Sequence, residues 1–155
     1  MSDLPPHVKM ILVLACLAAK PAAAETEWPF AGGSYAVTYR LELPHVERWA
    51  MTKKATLCVP EARDAGHTAL PILSGNTPFA KCPARNFARD GAQLSYDVVC
   101  EGRAAAKARA VYKAVPGGFE GRILMVMAAK NMTMTEVQSG RRVGPCTAVS
   151  MSRHR

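Results

Sequence analysis

Apolar and polar residues alternate with a period of two along most of this chain, and short turn signals interrupt the runs. A period of two puts successive side chains on opposite faces, which is the pattern of strands and not of helices. Tyr35, Val37, Tyr39, Leu41 and Leu43 share one face, with Ala36, Thr38, Arg40 and Glu42 on the other; Gly32-Gly33 opens this run and Pro44 closes it. Thr52–Val59 reads as a second strand, ended by Pro60. Asp64–Pro78, rich in Gly, Pro, Ser and Asn, reads as a long surface loop. Lys81–Arg89, the tight-turn pair Asp90-Gly91 and Leu94–Cys100 read as a hairpin. Ala106, Ala108, Ala110 and Tyr112 alternate with Lys107, Arg109, Val111 and Lys113. Alanine favours helix, but the neighbouring hairpin signals favour a strand here. Phe119–Ala129 and Met132–Arg142 complete a set of about seven strands joined mostly by tight turns. The expected class is all-β, an antiparallel meander that is barrel-like or a sandwich.

The N-terminal stretch follows other rules. Met10–Ala19 is an apolar run after Lys9, and Ala22-Ala23-Ala24 supplies small residues ahead of Glu25. A positive flank, a short apolar stretch and an A-x-A site describe a secretory signal peptide, 1–24, too short to span a bilayer. Residues 25–146 are then expected to form a single β domain, with 147–155 as a flexible basic tail. Val13-Leu14-Ala15-Cys16 also resembles a lipobox, but the apolar run before Cys16 is short for one. Cleavage after Ala24 removes Cys16 and leaves Cys58, Cys82, Cys100 and Cys146, an even set suited to the periplasm or the exterior.

Structural zinc sites bring cysteines as close pairs such as C-x2-C, and no such pair occurs. Two disulfides are expected instead, with three connectivities open. Cys82 and Cys100 flank Asp90-Gly91 at nearly equal distance. A two-residue turn there sets Cys82 opposite Val99, and one bulge corrects the offset. The expected pairs are therefore Cys82–Cys100 and Cys58–Cys146.

The chain carries a formal +8, and loss of Lys9, Lys20 and Asp3 with the leader leaves it strongly basic. That balance favours anionic partners such as an envelope surface, although it speaks first to solubility. Arg141 and Arg142, with Lys107, Arg109 and Lys113, suggest a basic face, for which simple solvation is the ordinary role. Neighbouring strand residues point to opposite faces, so Arg141 and Arg142 form no single anion clamp without a bulge.

No phosphate-cradling glycine loop, G-x-S-x-G elbow or metal-spaced histidine pair occurs, and the aromatic strand signature of nucleic-acid readers is missing. No cofactor is implied. Met125, Met127, Met132 and Met134 form M-x-M twice across a candidate turn. A two-residue loop at Ala129-Lys130, or one at Lys130-Asn131, puts all four thioethers on one face, and a three-residue loop splits them. Soft thioethers suit copper(I), while flexible core filling is the commoner use of methionine.

Several strings resemble a bacterial family of exported domains, domain-of-unknown-function family 3617. They are Gly33-Ser34-Tyr35, Leu41-Glu42-Leu43-Pro44, Cys58-Val59-Pro60-Glu61, Cys82 and Cys100 around Gly91, and Phe119-Glu120-Gly121. The most specific is Ser139-Gly140-Arg141-Arg142-Val143-Gly144-Pro145-Cys146. The resemblance runs from Gly33 to Cys146 and implies an exported location and a β fold, with no reaction or catalytic residue to carry over. The functional expectation is an exported, non-catalytic module that binds a small apolar ligand inside a barrel, or a protein or envelope surface outside it. The small side chains of Ala106, Ala108 and Ala110 favour interior space. An enzyme with dispersed catalytic residues and a purely structural envelope component are the alternatives.

Overall fold

The computed structural model describes residues 29–61, 69–75, 77–102, 105–127 and 132–146. The leader, the tail and the Ala128–Asn131 connection named above lie outside the described residues. Seven strands follow in chain order: β1 (Gly33–Glu42), β2 (Lys53–Val59), β3 (Ala84–Asp90), β4 (Gln93–Cys100), β5 (Ala106–Val115), β6 (Gly118–Met127) and β7 (Met132–Gly144). They form one antiparallel sheet in the order β2-β1-β7-β6-β5-β4-β3. The sheet is open, with β2 and β3 as its edges. The strands read from the alternation are all present, the alanine-rich β5 among them.

One face carries the core. Tyr35, Val37, Leu57, Tyr96, Tyr112, Phe119, Ile123 and Met125 are buried on it, while Thr38, Lys107, Arg122 and Ser139 look out from the other face. An open sheet must cover such a face with something else. Here the cover comes from Phe30 and from the segment between β2 and β3, through Leu70 and Phe79. Asp64–Pro78 is therefore no surface loop in its described part: Leu70 and Ser74 are buried. The short 3-10 turn Pro78–Lys81 packs Phe79 against β4 and β5, over the alanine row. Space left by Ala106, Ala108 and Ala110 is thus filled from within the chain.

Both edge strands are fastened covalently. Cys58 of β2 is bonded to Cys146, just past β7, so the bridge passes across β1. Cys82, ahead of β3, is bonded to Cys100 at the end of β4. The route to the second pair differs from expectation. Asp90 pairs with Gln93, so the turn is centred on Gly91-Ala92, one residue later than Asp90-Gly91. That register alone opposes Cys100 to Pro83. A bulge between Arg85 and Ala88, with Asn86 at φ 57°, shifts it by one and brings Cys82 opposite Cys100. Asparagine tolerates this left-handed conformation better than most residues. The bulge also turns Phe87 onto the Tyr96 ring, 5.1 Å between centroids.

Two glycines of the family-like strings are sites of close packing. The Tyr112 ring lies over Gly121, its cross-strand neighbour, and the Phe119 ring lies over Gly140. Added methyl groups at these positions meet the ring carbons, and both rings sit in a buried aromatic cluster with Phe30. Gly121→Ala and Gly140→Ala are each expected to cost about 1–3 kcal/mol by overpacking. Gly75→Ala, where the space is open, is expected to stay within about 0.5 kcal/mol. Urea denaturation of the three variants checks this.

Candidate functional site

Two polar residues interrupt the apolar inner row of β7. Met132 and Met134 are followed by Glu136 and Gln138, which are almost completely buried. A buried carboxylate needs partners, and the covering segment supplies them. Glu136 Oε1 accepts the Leu73 N–H (2.8 Å) and the Gln138 Nε2 amide (2.6 Å). Its Oε2 accepts the Ser74 N–H (2.7 Å) and the Ser74 hydroxyl. Gln138 Nε2 also donates to the Pro71 carbonyl (2.9 Å), and the Tyr96 hydroxyl donates to the Leu70 carbonyl (2.7 Å). The strap formed by residues 70–74 therefore crosses the inner face from β4 to β7, its backbone polar groups held by side chains of the sheet. Gln138 Oε1 and the Tyr112 hydroxyl are buried with no hydrogen-bond partner among the described residues.

This arrangement is a fastening and not a reactive centre. The Glu136 oxygens are taken up by the strap and by the neighbouring Gln138 amide, and the side chain has no exposure. Burial pushes the phenols of Tyr96 and Tyr112 above their usual range; the neighbouring Tyr96 phenol raises Tyr112 further, and the Glu136 carboxylate adds a smaller push to both. Tyr35 is raised too, by burial, against the opposing pull of Arg142.

The strap ends at Ser74-Gly75, close to the end of β1, and leaves a cleft there. It has a volume of about 320 Å3 and is lined by Tyr39, Leu41, Leu43, Val46, Trp49 and Met51, with Arg40 and Lys53 among its cations. That volume is at the low end of small-ligand sites, roughly 300–1,000 Å3. Its outer wall is the β1–β2 connection, which contains the 3-10 turn Glu47–Trp49 and buries none of that turn's residues. Trp49 is 71% exposed and Met51 75%, and Leu43 and Val46 are exposed beside them. The Arg48 guanidinium lies 5.3 Å from the centre of the Trp49 ring, within cation–π range.

The residues singled out from the sequence are dispersed. Met125 pairs with Met134 and Met127 with Met132, the register that an Ala129-Lys130 loop requires. Met125 and Met134 belong to the buried core, with Met127 and Met132 packed against it. Arg141 lies on the outer face beside Lys54, Thr38, Thr56 and Ser139, in an open groove of about 530 Å3. Arg142 instead binds the Gly32 carbonyl through Nε (2.7 Å). The two arginines hold regular register with Ala36 and Tyr35, and the bulge falls after Arg142, so no shared clamp forms. Arg109 is engaged by Asp97 and Ser95, both at 2.9 Å. Among the described residues no group of three or more His, Cys, Asp or Glu is placed to hold a metal.

The cleft and the strap fastening escaped the sequence reading, although both left signals. Glu136 and Gln138 continue the inner parity of two methionines. Trp49 and Met51 sit in a connection, where turn residues are usually polar.

Two outcomes are expected. Glu136→Ala strands two buried strap amides at about 1–3 kcal/mol each, so urea denaturation should show a loss of about 3 kcal/mol, against about 1 kcal/mol for Ser74→Ala. The raised tyrosines make the folded state hold protons that the unfolded state releases above about pH 10. Stability should therefore be independent of these groups below that pH and fall as pH rises through it, with phenolate absorbance appearing together with unfolding.

No curated protein and no solved structure matches the chain. The family described as "Protein of unknown function (DUF3617)" matches residues 20–146, most of the sequence and every strand of the sheet, and the chain belongs to that family.

Proposed function

We propose that this protein is exported and serves as a non-catalytic binding module that takes the apolar part of an amphiphile, with an anionic end, into the cleft beside the β1–β2 connection. The observation that carries the reading is the grouping of Leu41, Leu43, Val46, Trp49 and Met51 around one opening with Arg40 and Lys53 among its lining residues. An apolar lining with a few placed charges is the ordinary make-up of a small-molecule site. The interior of the sheet is filled by the strap, so the opening at its end replaces the barrel lumen as the place of binding. Export is supported by the N-terminal leader pattern and by two disulfides, which persist in oxidising compartments.

Sodium dodecanoate, kept below micelle-forming concentration, is a suitable probe. Saturable binding with a shift of tryptophan emission is expected, and the shift should disappear in Trp49→Phe. Leu41→Glu, which puts a carboxylate into the apolar lining, should weaken binding at least about tenfold, equivalent to about 1.4 kcal/mol. Absence of saturable binding to the wild-type protein overturns the reading.

A further inference from the structure

We propose that the β1–β2 connection is an interfacial anchor that docks this domain on an anionic phospholipid bilayer. The inference rests on the amphiphile reading above and says where the amphiphile is met: at a membrane surface and not free in solution.

Three features of the connection point there. First, its apolar groups are concentrated and uncovered. Leu43, Val46, Trp49 and Met51 fall within nine residues and are all exposed, and Trp49 and Met51 are more exposed than any other large apolar side chain among the described residues. Tryptophan has the shape and polarity suited to the boundary between headgroups and acyl chains. Second, the backbone of the tip satisfies itself. The Val46 N–H donates to the Leu43 carbonyl (3.2 Å), Trp49 N–H to Val46 (2.9 Å) and Ala50 N–H to Glu47 (3.1 Å). The Glu47 carboxylate accepts the His45 N–H (3.0 Å). A segment entering a water-poor layer has to meet its hydrogen bonds internally, and this turn meets these four that way.

Third, the charge is complementary to an anionic surface. Arg48 lies within the apolar tip and Lys53 and Lys54 follow it closely in sequence, against the single carboxylate of Glu47. The Arg48 head lies over the Trp49 ring, which keeps cation and aromatic together. Lys53 and Lys54 are exposed and have no ion-pair partner among the described residues. A basic side chain near an anionic leaflet strengthens binding about fivefold. An apolar tip alone would suit any greasy partner; the cations beside it select a negatively charged membrane.

The test is co-sedimentation of the purified, disulfide-bonded protein with large vesicles, read together with tryptophan emission. Vesicles of phosphatidylcholine alone are compared with vesicles containing phosphatidylglycerol, at low and high salt. The expected result is binding to the anionic vesicles with a blue shift, at least about tenfold weaker on neutral vesicles and weakened by salt. Trp49→Ser with Met51→Ser should reduce vesicle binding at least about tenfold. Lys54→Gln should weaken binding to the phosphatidylglycerol vesicles about fivefold and leave dodecanoate binding unchanged, since Lys54 does not line the cleft. Circular dichroism confirms that the variants fold. Dodecanoate binding without vesicle binding overturns the docking proposal and leaves the cleft reading standing; loss of both overturns both. Vesicle binding that survives Trp49→Ser with Met51→Ser also overturns it. So does a concentration-dependent dimer that shields Trp49 without lipid, because the occupant is then a second copy of this chain.

Discussion

The carboxylate of Glu136 governs this fold. A seven-stranded sheet left open buries one face only if some other part of the chain lies across it, and that part carries backbone amides and carbonyls that lose their water. β7 answers this by placing Glu136 and Gln138 where its alternation would put further apolar residues. The carboxylate takes the amides of Leu73 and Ser74, and the neighbouring amide takes the Pro71 carbonyl. Tyr96 takes the carbonyl of Leu70 from the far side. A fully apolar inner face would hold the strap less specifically, because burial is non-directional and hydrogen bonds are not. The position of the cleft follows from this, since its inner wall is the end of the strap so fixed.

The edges pose a separate problem. Exposed strand edges invite pairing with other chains, and this sheet leaves β2 and β3 unpaired on their outer sides. Each is tied inward by sulfur, β2 across its neighbour to the residue just past β7 and β3 to β4. The bulge at Asn86 serves the second tie directly: without the extra residue, Pro83 and not Cys82 would oppose Cys100.

The sheet was legible because its determinants are local. Alternation reports the two faces, and Gly or Pro reports the ends of strands, so all seven strands were visible in β1 to β7. The hairpin turn lies one residue beyond the sequence expectation because Asp90-Gly91 and Gly91-Ala92 are both acceptable tight turns, and the bulge between Arg85 and Ala88, which local pattern does not report, lets the later one still bring Cys82 opposite Cys100. The strap has the Pro, Gly and Ser content of a surface loop because that composition describes backbone irregularity, which a buried segment shares when side chains satisfy it. Arg141 and Arg142 drew attention as a charged pair, yet Arg142 is taken by Gly32 at the start of β1. The cleft was missed because exposure of Trp49 and Met51 depends on what does not cover them, a property that no window of sequence reports.

The two sulfur links differ in when they can be made. Cys82 and Cys100 are 18 residues apart and belong to one hairpin, so their bond can close as soon as that hairpin exists. Cys58 waits for a partner 88 residues downstream, and because chains are made from the N-terminus, Cys146 arrives last. Throughout that interval Cys58 stands near two other thiols to which it must not be joined. Early closure of the hairpin withdraws both of them and leaves Cys146 as the one partner for Cys58 among the described residues, so a local bulge at Asn86 protects the fidelity of a linkage on the opposite margin of the sheet.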